Sequence, residues 1–235
     1  MFDPLYIAIL VVTMVVSGAV QLLVRSRFRS AQRVPLTRGL PGREVAHAVL
    51  RASGVPGVTI VEHEGFLSDH YNPFTRTLAL SSEVFHGRDA AAAGVAAHEA
   101  GHAIQHARAY APLWMRSAIV PMAQFGSSLG PWIVIAGIVL GAGQGLGHAL
   151  AVVGVLLFAA STGFTLITLP VEFDASARAK RALSALGIVS SRREAAAVSG
   201  VLTAAGLTYL AAAASSIAML LYWAMRAGLL GTSRD

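Results

Sequence analysis

The sequence has no cysteine and few charged residues. The absence of cysteine excludes disulfides and thiolate ligands, so any zinc site in this chain has to be built from histidine and carboxylate side chains. Charged residues make up 13% of the 235 residues and hydrophobic ones 55%, whereas an ordinary soluble domain is about a quarter charged. With a mean hydropathy of +0.62, these proportions exclude a typical soluble domain. They indicate a polytopic membrane protein with a modest polar region.

The chain also lacks an aromatic-interleaved basic surface or any nucleic-acid motif, although its net charge is +6 and its pI is near 10.5. The position of the basic residues supplies another explanation. Arg25, Arg27, Arg29, Arg33, Arg38 and Arg43 follow the first apolar run, and Arg178, Lys180, Arg181, Arg192 and Arg193 follow the third. Short loops of this kind beside apolar segments are the positive-inside signal, so the basic excess reads as topology and nucleic acid is excluded as a partner.

The apolar runs are residues 5–24, 117–140, 150–169 and 195–225. The last exceeds one span, so only about twenty of its residues, the final ones, are expected to cross the bilayer. The first run has no basic stretch ahead of it and no small-residue cleavage site, which predicts a retained anchor with its N-terminus outside. Pro121 and Pro131 predict a kink in the second. Residues 43–53 form an amphipathic helix with Val45, Ala46, Val49 and Leu50 on one face and Gly54 as its stop. Residues 58–62 and 76–81 read as strands of a hairpin or small sheet. Pro170 is expected to open a polar helix that runs to about residue 186 and ends at Gly187.

The expected fold is a mainly α membrane protein, with about four transmembrane helices and a small α+β domain containing a short β-hairpin or sheet; the H-E-x-x-H pattern His98-Glu99-Ala100-Gly101-His102 in that domain makes it a zincin-like catalytic one. Its expected parts are an N-terminal anchor (1–24), a basic cytoplasmic linker (25–43), a catalytic region (44–115), two transmembrane helices (116–169), a helix with a further metal ligand (170–198), and a final transmembrane helix with a short tail (199–235). Four crossings would leave both termini outside, with the catalytic region and the helix after Pro170 on the same cytoplasmic face.

The chemistry centres on residues 95–106, where His98-Glu99-Ala100-Gly101-His102 is an H-E-x-x-H pattern. On a helix capped by Asp89, His98 and His102 stand one turn apart on one face and can share a metal ion. Glu99 is rotated by about 100° from His98, beside the metal, where a general base could deprotonate a metal-activated water. Two histidines leave a catalytic zinc short of one protein ligand. Glu172, in the first turn after Pro170, is the candidate; its other explanation is attraction of a carboxylate to a helix N-terminus. Asp174 points about 200° from Glu172 and stands four residues before Arg178, which suggests an ion pair or a hydrogen bond to a ligand histidine. His106 lies about 12 Å along the helix from His98, too far to share one ion with it, and is read as a wall or supporting residue. His70 and Tyr71 are candidates to line the cleft or polarise a substrate carbonyl, with loop anchoring as the plainer alternative.

Taken together, Leu67-Ser-Asp-His-Tyr-Asn-Pro73, Leu78-Ala-Leu-Ser81, Ala97-His-Glu-Ala-Gly-His-Ala-Ile-Gln-His106 and Pro170-Val-Glu-Phe-Asp-Ala-Ser176 resemble the YugP-like family of bacterial neutral zinc metallopeptidases. The likeness runs in order from about residue 40 to 225. It implies a membrane-embedded zinc peptidase of the bacterial inner membrane, with His98, His102 and Glu172 holding one Zn2+ per chain and Glu99 as base. A more distant likeness is to HtpX-type gluzincins, which place an aspartate four residues after the ligand glutamate. Ser176 stands there in this chain, uncharged but able to hydrogen-bond. Asn72 replaces an aspartate frequent in YugP-like sequences.

The reading that follows is a zinc-dependent endopeptidase acting on membrane or membrane-proximal proteins. Two alternatives belong to other classes: a zinc-stabilised membrane scaffold without turnover, and a site-2-type intramembrane protease. Glu99 speaks against the first. Arg88, Asp89 and Arg108 bracket the motif helix and speak against the second.

Overall fold

A computed structural model describes residues 3–230. In chain order the elements are α1 (Pro4–Gln32), α2 (Gly42–Ala52), β1 (Thr59–His63), β2 (His70–Asn72), β3 (Thr77–Ser81), α3 (Ser82–His86), α4 (Ala90–Ala107), α5 (Ala111–Val139), α6 (Gly145–Ala185) and α7 (Arg192–Arg226). The protein is a mainly α membrane protein with a small α+β part. Helices α1, α5, α6 and α7 are each long and apolar enough to cross a membrane. Large apolar side chains stand exposed along them, among them Met14, Trp132 and Val139, a surface suited to lipid rather than water.

Helix α6 differs from expectation at proline. Pro170 does not open a new helix, because α6 runs through it without interruption. Proline's fixed φ is compatible with a helix; what it removes is one N–H and its bond to the preceding turn, a loss that α6 absorbs. Helix α5 likewise contains both Pro121 and Pro131.

The chain divides into two compact units. The first comprises the residues up to Gly18, Met115–Leu169 and the residues from Tyr209 onward. Its core gathers Val134, Val155, Phe158, Tyr222 and Trp223. Glycines let helices approach there, since a Cβ on Gly154 would meet Val134 and one on Gly137 would meet the backbone of Ala151. Thr162 and Ser216 share a hydrogen bond of 2.8 Å between α6 and α7.

The second unit, Ala19–Trp114 with Pro170–Thr208, is built around α4. Asp89 caps that helix by accepting from the N–H groups of Ala91 and Ala92, both at 3.0 Å. The alanines of its first half have the highest helix propensity and no bulk, and they are buried. Helix α2 turns Val45, Ala46, Val49 and Leu50 into the same core, and Gly54, at φ +67, takes the left-handed position that follows its end. Phe28, Leu36, Leu78, Leu80, Ile104, Leu183 and Val198 are among the side chains that join this core.

The sheet has the order β1-β3-β2. The two expected strands do not form a hairpin with each other, because β1 pairs with β3 in parallel. The hairpin is instead β2 with β3, antiparallel. Asn72 shapes its turn by accepting from the N–H groups of Phe74 (2.9 Å) and Thr75 (3.3 Å).

Candidate metal centre

His98, Glu99 and His102 all lie on α4, and each brings one donor atom to within 4.8 Å of the others. Helical periodicity does this: four residues bring the two imidazoles onto one face, and Glu99 follows on the adjoining side. Opposite them stands Glu172, on the part of α6 just beyond Pro170. Its Oε2 is 3.2 Å from His98 Nε2 and 3.5 Å from His102 Nε2. Glu99, His102 and Glu172 are buried and His98 is nearly so.

These distances fit a shared metal ion. Ligands at about 2.0–2.1 Å in a tetrahedron lie about 3.3–3.4 Å from one another, so one oxygen facing two Nε2 atoms at 3.2 and 3.5 Å spans two such edges. Glu99 also brings a carboxylate oxygen within 4.8 Å of the histidine donor atoms, so two carboxylates border the site. The donor set of two imidazoles and a carboxylate suits zinc.

The electrostatics agree with a charged Glu172. Burial by itself would raise its pKa, but hydrogen bonds from His102 and His98 outweigh burial and hold the carboxyl well below the usual range. At His102 burial opposes protonation, and the Glu172 hydrogen bond together with the charges of Glu99 and Glu172 reverses that, so its pKa rises. The site is thus arranged to stabilise positive charge between the rings and the carboxylates.

Each imidazole is held from behind. Ser176 Oγ lies 3.1 Å from His98 Nδ1, at the position where the gluzincin pattern carries aspartate. His102 Nδ1 lies 3.0 Å from Gln105 Oε1. Gln105, fully buried, donates from Nε2 to Val171 O and to Asp174 Oδ2, each at 2.8 Å. Asp174 also accepts from Arg178 Nε at 2.6 Å, so its expected i,i+4 ion pair is present alongside the link toward His102.

The remaining candidates separate. Tyr71 OH lies 2.9 Å from His106 Nδ1, tying β2 to α4, and the His106 ring also packs near Trp114, with centroids 5.7 Å apart. Burial pushes the Tyr71 phenol up against the opposing charge of Arg76, so it stays a neutral hydrogen-bonding group. His70, the preceding residue on a strand, projects to the other face; its Nδ1 is 2.9 Å from Ser68 O and its ring meets His63 edge-on. The structure therefore brings Tyr71 and His106 together and leaves His70 apart from them.

Sequence reasoning missed two residues. Gln105 follows His102 by three positions on the same helical face, and a polar side chain among Ala and Ile there was the available signal. Asp69 holds the loop ahead of β2 to the end of β3 by accepting from Ser81 N at 2.8 Å and Ser81 Oγ at 3.1 Å. Burial raises the Asp69 pKa, Ser81 N–H counteracts it, and the negative charge of Glu99 raises it further.

Residues 6–228 match a family described as "Putative neutral zinc metallopeptidase". The chain is similar to "Putative membrane protease YugP" of Bacillus subtilis (strain 168), 38% identical over 221 residues, which is 94% of this chain and 96% of that one. No solved structure matches significantly.

Proposed function

The chain belongs to the family described as "Putative neutral zinc metallopeptidase", and from that premise we propose that it is a membrane-embedded zinc endopeptidase. The observation that carries the proposal is the position of one Glu172 oxygen, 3.2 and 3.5 Å from the Nε2 atoms of His98 and His102, beside the Glu99 carboxylate.

His98, His102 and Glu172 are the residues that would hold one Zn2+ per chain. Bound there, zinc supplies Lewis acidity that makes water a nucleophile near neutral pH and polarises a carbonyl. Glu99 takes the proton that the attacking water gives up. The water oxygen bonds to the carbonyl carbon, the C–N bond breaks, and Glu99 returns the proton to the leaving amine. Tyr71, hydrogen-bonded to His106, is the proposed donor to a substrate carbonyl.

Strand β2 is a sheet edge that packs on α4. An extended substrate pairing with its backbone would be held with little sequence selectivity. Residues 44–115 and 170–198 are assigned to the catalytic region. The arginines that follow the first apolar run and those around residues 178–193 belong to the same unit as the site, which supports a cytoplasmic location by the positive-inside rule. Membrane proteins and their juxtamembrane segments are the proposed substrates.

The test is cleavage by the full chain reconstituted in vesicles, with its own termini and an added single-span membrane protein as substrates. Cleavage should stop on chelation and return when zinc is restored. Cleavage indifferent to the chelator would overturn the proposal.

A further inference from the structure

Gln105 has no part in the chemistry proposed above, yet it is fully buried and all of its polar atoms are engaged. Its two contacts at Nε2 are both acceptors, the carbonyl of Val171 and the carboxylate of Asp174. An amide turned the other way would set Oε1 against both of them, acceptor facing acceptor in a fully buried place. Nε2 must therefore face α6, and Oε1 must face His102.

An amide oxygen can only accept. His102 must then donate from Nδ1, and in the neutral ring, the form that binds a metal, this leaves the lone pair on Nε2. That is the atom 3.5 Å from Glu172 Oε2. Val171 immediately precedes Glu172, so the same amide joins the His102 ring to the backbone that carries the opposing carboxylate. Arg178 closes the far end by donating from Nε to Asp174.

Resting on the zinc-site reading above, we propose that Gln105 is a positioning residue: it fixes His102 in the Nε2-ligating tautomer and holds the two ligand-bearing helices in register, through the chain His102–Gln105–Asp174–Arg178. Outer contacts of this kind typically change metal affinity by about 10–100-fold when removed.

The experiment compares zinc affinity, by competition with a fluorescent chelator, in the purified full chain and in Gln105→Leu, which keeps bulk and removes both hydrogen-bonding functions. The expected result is a zinc Kd raised by about 10–100-fold. Nitrogen-15 spectra of the zinc-loaded wild type should show His102 protonated at Nδ1 and coordinated through Nε2, a signature that simple support of the fold would not produce. A Gln105→Leu Kd within about twofold of wild type, while wild type binds zinc, overturns the positioning role alone. Coordination of wild-type His102 through Nδ1 overturns it as well, and this readout decides the matter if Gln105→Leu fails to fold. Absence of zinc binding by the wild type overturns the zinc-site reading, and the positioning role falls with it.

Discussion

Gly101 and Ala175 leave no space between them: a Cβ placed on Gly101 would lie 2.8 Å from the carbonyl oxygen of Ala175 and 3.2 Å from its Cα. Gly101 stands between the two histidines of α4, and Ala175 follows Glu172 by three residues on α6. The glycine thus sets how closely the two ligand-bearing backbones approach, and hence whether one oxygen can face both imidazoles.

Gly101→Ala should therefore push α4 and α6 apart at the site. The clash costs about 1–3 kcal/mol, partly offset by the better helix propensity of alanine, about 1 kcal/mol. Net stability should fall by about 0–2 kcal/mol, while zinc affinity falls by about tenfold or more, since outer-contact losses alone reach that size. Thermal unfolding of the metal-free chain and chelator competition measure the two effects. Unchanged zinc affinity would show that this contact does not set the site.

Glu172→Ala should lose most zinc binding while Asp174→Ala retains more of it, because Glu172 Oε2 faces both Nε2 atoms whereas Asp174 is engaged by Gln105 and Arg178. Zinc content by elemental mass spectrometry, after dialysis against a weak chelator, makes the comparison. Equal zinc in Glu172→Ala and wild type would remove Glu172 as a ligand.

The pH dependence of stability has a source at Glu194, at the start of α7 and away from the metal centre. Its burial would raise its pKa, but the side-chain and backbone donors of Thr37, with those of Ser190 and Ser191, override this and hold it at about 2. A lowered folded pKa means stability that is whole above the ordinary value of 4.5 and lost as pH falls toward about 2. Glu194→Gln should be less stable than wild type at pH 7 by about 2 kcal/mol. The gap should narrow as pH falls through that interval; thermal unfolding across it is the check, and a gap independent of pH would contradict this account.

What the sequence revealed was what short-range periodicity encodes. The spacing of His98 and His102, the Asp89 cap, the apolar face of α2 and the four long apolar runs all depend on residues within a few turns of one another. Glu172 was also legible, since few carboxylates lie beside an apolar segment. The parallel pairing of β1 and β3 was not, because alternation within a strand carries no information about the direction of its partner. Continuation of α6 through Pro170 depends on tertiary packing that outweighs a local rule. Gln105 was hidden for a related reason: its partners, Val171 and Asp174, lie more than sixty residues away in sequence.

The central claim is that Glu99 performs the proton transfers while the other three side chains hold the metal. Its most direct test is the cleavage rate of zinc-loaded Glu99→Gln beside zinc-loaded wild type. The account predicts one zinc in both proteins and a rate lower by about 10²–10⁴-fold in the variant. Cleavage by Glu99→Gln at the wild-type rate would contradict it.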